Sequence, residues 1–493
     1  MIAIPKPRWT VPLVALVLTG CGKYADDLFC SDAACEWTDR QWTHLQSLSN
    51  PGLPDPDPSN SYWNWPNAQD LGKAFYFDTG FSGAATQTDA TGNHPSPPAR
   101  QPTTQPDGTT PGPPIKVSCA TCHDGTRGGA DYTSVPGNVS VGSGWTDVNA
   151  LTNTNAAYRK IMFWNGRMDS LWGLNVVVSE SNTTMNGNRL AIVHRIFDKY
   201  RADYEAVFGA LDPAIGTDPV RFPPSGKPKS PLANAPDGVW EGMAAVDRTT
   251  VNTALVNWAK AIAAYEYQLV SVDSPFDQFV RAGKDSDLIS GAAKRGARLF
   301  VDKAACIDCH SGPQLTDEDF HNIGVTQIGM GVPTTSLCPD ATDDLYACDC
   351  NDGPRCPPWG AAEGLWRLQK EMRTMTWERS GTYSDDLTDA SRSAYTNRPL
   401  TDDLKGAWRT PSLRNVALTA PYMHDGSLAT LEDVIWHYNT GGRSESGERI
   451  GYPAAQIKPL ELSAHEISDL VAFLETLTGA PLPTGVTKAP PAR

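Results

Sequence analysis

Two short runs in the chain carry chemistry that their spacing specifies. Cys119-Ala120-Thr121-Cys122-His123 and Cys306-Ile307-Asp308-Cys309-His310 both read C-x-x-C-H. Two thiols at that separation can add to the vinyl groups of one haem, and the adjacent imidazole reaches its iron as proximal ligand. A single run is also compatible with a redox dithiol. Two in one chain, each after a helical segment, predict two covalently bound c-type haems.

The elements that must hold these runs repeat as well. Leu71-Gly72-Lys73-Ala74-Phe75-Tyr76-Phe77-Asp78 precedes the first, and Arg295-Gly296-Ala297-Arg298-Leu299-Phe300-Val301-Asp302 precedes the second. Each reads as a helix with a glycine for close packing, so the chain carries an internal duplication of a small helical unit. Between the copies, Val251, Leu255, Trp258, Ala259, Ile262 and Tyr265 fall at helical spacing within 249–270, and Arg189 opens another helical stretch towards Phe208. Strand signals are weak. The expected fold is mainly α, two c-type cytochrome domains with long loops and a haem in each core. The expected organisation is a signal at 1–21, a tether at 22–60, haem domains at 61–240 and 241–480, and a tail at 481–493. The segment 82–114, rich in Thr, Pro, Gly and Gln, is expected to be a flexible insertion, and 336–360 a Cys-rich one.

Composition narrows the classes. The length of 493 residues corresponds to about three units as a soft prior, and 40% hydrophobic with 20% charged residues is ordinary for a globular protein. A net charge of −15, with no basic run, excludes a general nucleic-acid binder. Near the start, Lys6 and Arg8 precede the apolar run 11–18, which is too short to span a bilayer. The run ends in Leu18-Thr19-Gly20-Cys21, which resembles the lipobox of bacterial lipoproteins and implies cleavage with acylation of Cys21. Read instead as an ordinary secretory signal it still exports the chain, so a periplasmic or cell-envelope location is expected, lipid-anchored in the first case. Of eleven cysteines, six remain after Cys21 and the two haem motifs: Cys30, Cys35, Cys338, Cys348, Cys350 and Cys356. Disulfides suit an oxidising compartment; a metal site in the Cys-rich segment is the rival reading.

Further motifs carry a family resemblance. Gly144-Trp145, Phe163-Trp164-Asn165-Gly166-Arg167 and Ser170-Leu171 stand in the first half. Asp273-Ser274-Pro275-Phe276-Asp277, Phe320-His321-Asn322, and the block from Arg409-Thr410-Pro411-Ser412-Leu413-Arg414-Asn415 to Pro421-Tyr422-Met423-His424-Asp425-Gly426 stand in the second. In these the chain resembles the bacterial di-haem cytochrome c peroxidase family, including its MauG-type branch, over roughly 68–479. The resemblance implies that hydrogen peroxide reacts at the haem on His123, and that the haem on His310 stores and relays electrons. It places Trp164 between the haems, where it helps electrons hop; a core tryptophan is the plainer reading. It also implies a calcium ion at the interface, held by the Asn149 side chain and the carbonyls of Thr419 and Pro421. The electron source would be a small redox protein or the side chains of a partner protein.

The departures from the family pattern are as informative. Where the peroxidases have a switching histidine, the chain has Gly142-Ser143-Gly144. Serine is a poor iron ligand, so the first haem is expected to stay open, as in the MauG branch. The position that carries a ligating Met in typical members is Tyr438, again MauG-like; a phenolate favours ferric iron and lowers the potential. His437 is the neighbouring rival, although a helix turns it about 100° away, and Met423 and Met330 are weaker ones. The family's Gln and catalytic Glu positions fall on Leu174 and Thr184, which handle protons poorly. Glu180 lies nearby as a substitute acid, or as a solvated surface carboxylate. Two functions therefore stand: a peroxide-reactive di-haem enzyme, and a di-haem electron carrier that has lost peroxide cleavage. His194 and His321 are unassigned.

Overall fold

The computed structural model describes residues 36–84, 116–131, 140–229 apart from 145 and 147, 236–325, 377–388, 404–442 apart from 405, and 452–491. The signal with Cys21, the pair Cys30 and Cys35, residues 85–114 of the first insertion, the Cys-rich segment 336–360, and Met330 lie outside the described residues. Among the described residues, no helix is long and apolar enough to cross a membrane.

The architecture is helical throughout. The main helices are α1 (Asp39–Ser47), α2 (Pro66–Phe77), α3 (Leu171–Glu180), α4 (Arg189–Phe208), α5 (Ala245–Glu266), α6 (Pro275–Ala282), α7 (Gly291–Val301), α8 (Leu431–Asn439) and α9 (Ala464–Glu475). Local sequence sets their starts. Proline fills the first position of α2, and Asn188, Ser290 and Ser463 accept backbone N–H bonds at the heads of α4, α7 and α9. Two-residue strands β1 (Phe320–His321) and β2 (Trp408–Arg409) pair antiparallel, which sets Trp408 against His321.

Two glycines fix how the helices cross. A Cβ on Gly72 of α2 would lie 1.8 Å from the Ala261 carbonyl oxygen of α5, and one on Gly296 of α7 would lie 1.9 Å from that of Asp469 on α9. Only a glycine lets the backbones approach so closely, and the same crossing occurs in both copies of the duplication. Two cores form around these crossings. One gathers α2, α3, α4 and α5; the other gathers α1, α6, α7, α8 and α9.

This division corrects the expected boundaries. The break at 240 and 241 fails because α5, which follows it, buries Val251, Leu255, Trp258 and Ile262 in the first core. The 22–60 tether is not featureless, since Trp37, Leu45 and Leu48 pack into the second core. Nor is the 481–493 tail free: Leu482 and Val486 pack on the first core, and the Tyr265 hydroxyl donates to the Val486 carbonyl at 2.9 Å.

A second, ungapped repeat appears that the sequence reading did not separate. Asn155 and Asn415 both take left-handed backbone angles, φ 63° and 62°, and each opens a 3-10 turn. Met162 then bridges Met168 in one copy as Tyr422 bridges Leu428 in the other, and Ser170 and Thr430 cap α3 and α8. The two asparagine amides donate to the same carbonyl, that of Ser271, at 2.8 and 3.3 Å. One residue thus clasps both copies.

Candidate functional site: two cavities with a shared wall

The C-x-x-C-H runs each face a cavity, of about 300 Å³ around His123 and about 260 Å³ around His310. Near-equal volumes are what two copies of one cofactor require. Cys119, Cys122, Cys306 and Cys309 are free thiols rather than disulfides. Burial raises the Cys119 thiol pKa well above its ordinary value and pushes that of Cys306 up to about 12. His123 Nδ1–H donates to the Gly129 carbonyl at 3.2 Å and His310 Nδ1–H to that of Leu315 at 2.9 Å. Each bond fixes the tautomer that leaves Nε2 as the ligating nitrogen. Burial lowers both imidazole pKa values, which keeps them neutral and able to ligate.

The cavities also suit the anionic edge of a haem. Arg159 lines both, Arg167 the first and Arg409 the second. Arg159 is half-buried, and desolvation with the nearby Arg409 brings it down to about 9. Arg409 donates from Nε to the Phe163 carbonyl at 3.1 Å, yet its Nη2 is buried with no hydrogen-bond partner. An orphaned guanidinium nitrogen inside a cavity is satisfied by a propionate. His321 lines the second cavity beside it and donates from Nε2 to Asp317 at 2.8 Å. The bond to Asp317 is the largest cause of its raised pKa, so the two form an ion pair at the cavity edge. His194 is structural, its Nε2 lying 3.0 Å from the Phe222 and Pro223 carbonyls.

Placing the two repeats over each other shows how the cavities differ. Val178 and Tyr438 are the same step along α3 and α8, and each lines its cavity. The second cavity thus has a phenol where the first has an aliphatic side chain. Tyr438 is half-buried, and desolvation raises its pKa well above the ordinary phenol value. The rival His437 is turned away: it is absent from the lining, and its Nε2 contacts the Ile323 carbonyl at 2.8 Å. Met423 lines the same cavity.

The glycine crossings set a second correspondence. Counting equally from Ala261 on α5 and Asp469 on α9 pairs Glu266 with Leu474, and each lines its cavity. Glu266 is the one carboxyl lining the first cavity among the described residues. Asn175 donates to it at 3.0 Å. Burial pushes it up to about 7, against the opposing pull of Asn175 and Arg159. Sequence reasoning missed Glu266, although an acid closing the apolar stretch 261–265 was the available signal.

Glu180 is corrected. Arg189 clasps it, with Nη2 at 2.5 Å from Oε2 and Nε at 3.0 Å from Oε1, and the Arg189 N–H donates to the same Oε1 at 2.9 Å. It caps the turn into α4 and does not line the cavity. Leu174 and Thr184 do line it, and the Thr184 hydroxyl is committed to the Val178 carbonyl at 2.5 Å. Gly142 lies against the Thr183 and Thr184 carbonyls, where a Cβ would come within 2.4 Å, and Ser143 is buried outside the lining.

Trp164 and Trp408 line both cavities, and so form their shared wall. The Trp164 indole donates to the Asn149 carbonyl at 2.8 Å. The expected calcium set is partly assembled: the Asn149 amide donates to the Pro421 carbonyl at 2.9 Å and its Oδ1 accepts from Ser140 at 2.8 Å. Calcium there requires Asn149 to turn its oxygen towards Pro421 and release Ser140. Thr419 lines the second cavity.

Known proteins carry the same pattern. Residues 113–285 match the family model described as di-haem cytochrome c peroxidase. Over 380 residues the chain is 31% identical to cytochrome-c peroxidase IdrP1 of Denitromonas iodatirespirans, covering 76% of this chain and 77% of that one. It is 28% identical to the methylamine utilization protein MauG of Methylorubrum extorquens, covering 74% and 73%. In fold it is similar to a crystal structure of a MauG-like protein associated with microbial copper homeostasis, with a TM-score of 0.53, 23% identity, and coverage of 89% and 97%. Two thiol–imidazole sets in paired cavities, on a scaffold shared with these relatives, place the chain in the di-haem cytochrome c peroxidase family.

Proposed function

We propose that the chain is an exported di-haem oxidoreductase that reduces hydrogen peroxide in the His123 cavity and draws the electrons through the His310 cavity. The observation that carries this reading is the pair of differences between matching positions, Val178 against Tyr438 and Glu266 against Leu474. The first cavity has room for a ligand and a carboxyl to move its proton. The second has a ligand of its own and Leu474 where the first has that carboxyl, which suits electron storage.

Haem bound at these sites supplies the redox-active iron. The chain's own residues do the rest. His123 holds its Nε2 towards the iron, while Leu174 and Val178 keep the cavity wall apolar and free of a competing ligand. Glu266 accepts a proton from hydrogen peroxide and returns it to the departing oxygen; two electrons and two protons then turn one peroxide into two waters. Tyr438 and His310 would hold the second haem, where a phenolate favours ferric iron, and Trp164 stands between the two cavities. The electron source is a small redox protein such as a cytochrome or cupredoxin, or the aromatic side chains of a partner protein, the second being favoured by Tyr438 and the histidine-free run 142–144. A lipid on Cys21 would hold the enzyme at the cell envelope, and calcium on Asn149, Thr419 and Pro421 would brace the interface.

A second reading, a di-haem electron carrier without peroxide chemistry, is favoured by Leu174 and Thr184 in the cavity wall. The test mixes the purified diferric protein with one equivalent of hydrogen peroxide and follows visible and near-infrared spectra. A fast spectral change that reverses on adding reductant is expected, with a rate that rises with pH through about 7 as Glu266 ionises. In Glu266→Gln that rate should fall by about 10²–10⁴-fold. Slow bleaching alone would make the chain an electron carrier.

A further inference from the structure

The wall between the cavities contains more than Trp164. Trp408 lines both cavities as well, is 6% exposed, and comes from β2 in the other half of the chain. Its indole stacks on the His424 ring, with centroids 4.1 Å apart and planes 19° from parallel. His424 in turn meets the Trp164 ring edge-on, at 6.3 Å and 70°. His424 lines the second cavity but not the first, while both tryptophans line the two. His424 is buried. The backbone joins the same three segments: the Arg409 N–H, next to Trp408, donates to the Trp164 carbonyl at 2.8 Å, and the Asn149 N–H donates to the His424 carbonyl at 2.7 Å.

From this arrangement we infer that Trp408, stacked on His424, is a second relay residue for electrons crossing between the two cavities, alongside Trp164. A single electron passes from one cavity to the other, no bond forms or breaks, and the indole ends in the state in which it began. The inference rests on the reading that electrons cross this wall, and not on peroxide cleavage.

The test leaves peroxide out. The doubly haemylated protein is reduced by one electron with a pulse-generated radical reductant, and redistribution between the two haems is followed spectroscopically. Trp408→Phe keeps an aromatic ring in the stack but is harder to oxidise and smaller; Trp408→Leu removes the ring. Haem content and both midpoint potentials are measured for each variant, so that a change in driving force is separated from a change in coupling. Redistribution is expected to slow severalfold in Trp408→Phe and by about tenfold in Trp408→Leu, at unchanged potentials. An unchanged rate in Trp408→Phe overturns the proposal, whether or not Trp408→Leu retains both haems. A protein that passes this test and ignores peroxide would keep the relay and lose the proposed enzyme activity.

Discussion

Tyr438 and Val178 show how much one side chain decides at the scale of the residue. Both lie on helices that begin alike and present the same face to a cavity, so their difference alone puts a phenol in one cavity and an aliphatic side chain in the other. Replacing Tyr438 with Met exchanges an oxygen donor that favours ferric iron for a thioether that favours ferrous. The midpoint potential of the second haem should rise by about 0.1–0.3 V, read by potentiometric titration, with the first haem unmoved. No shift would mean that Tyr438 does not reach the iron. Residue chemistry was legible in the sequence where it was local. The C-x-x-C-H runs need only neighbouring positions, whereas Tyr438 comes from the family resemblance; the structure has Tyr438, and not His437, in the cavity lining. Proton handling was not local. Glu180 lay at a convenient distance from Trp164 along the chain, but folding gives it to Arg189. Glu266 comes much later, on a helix that reads as apolar core, and only packing of α5 against α3 brings it into the cavity beside Asn175.

Gly72 and Gly296 govern the scale of the element. Each lets two helices cross with a backbone carbonyl where a Cβ would stand, and each crossing carries one wall of a cavity. The glycine in each helix was read from the sequence as a packing device, and the contact explains why. Alanine at either position forces the backbones apart and should cost about 1–3 kcal/mol. Gly72→Ala should loosen the His123 half and Gly296→Ala the His310 half, measured as a selective rise in amide exchange on α2 and α5 or on α7 and α9. The elements were legible because 3.6-residue spacing marks them. Their grouping was not. Helix α5 follows the first unit in sequence and was assigned to the second, yet its buried face fits α2.

A buried ion pair links distant parts of the whole molecule. Asp277 on α6 takes Arg414 through two bonds, 2.6 and 3.1 Å, with both side chains at 1% exposure or less. Arg414 also donates to the carbonyls of Leu48 and Pro313, and Asp277 accepts from the Asn50 N–H. Four segments therefore depend on one pair. Asp277→Asn leaves the guanidinium buried without its counter-charge and should cost about 3–5 kcal/mol in a denaturant titration. The Arg414 partner holds the Asp277 carboxyl below its ordinary value of 3.8 despite burial. That contribution is in place above the unfolded carboxyl pKa and is lost as pH falls through the lower folded value, so acid should mimic the substitution.

The clasp at Ser271 has a geometric consequence. A single carbonyl that receives Asn155 from one copy and Asn415 from the other lies close to an axis about which the two repeats are nearly interchangeable. Near such an axis, equivalent residues meet each other: Trp164 meets His424, its own counterpart. An exchange between two like centres has no preferred direction. Direction comes only from what breaks the likeness, and the cavity linings break it at, among other positions, Val178 against Tyr438, Glu266 against Leu474, and Trp164 against His424. A molecule that passes electrons across this wall would be a rectifier: two halves alike in backbone, with the polarity written in the side chains that differ.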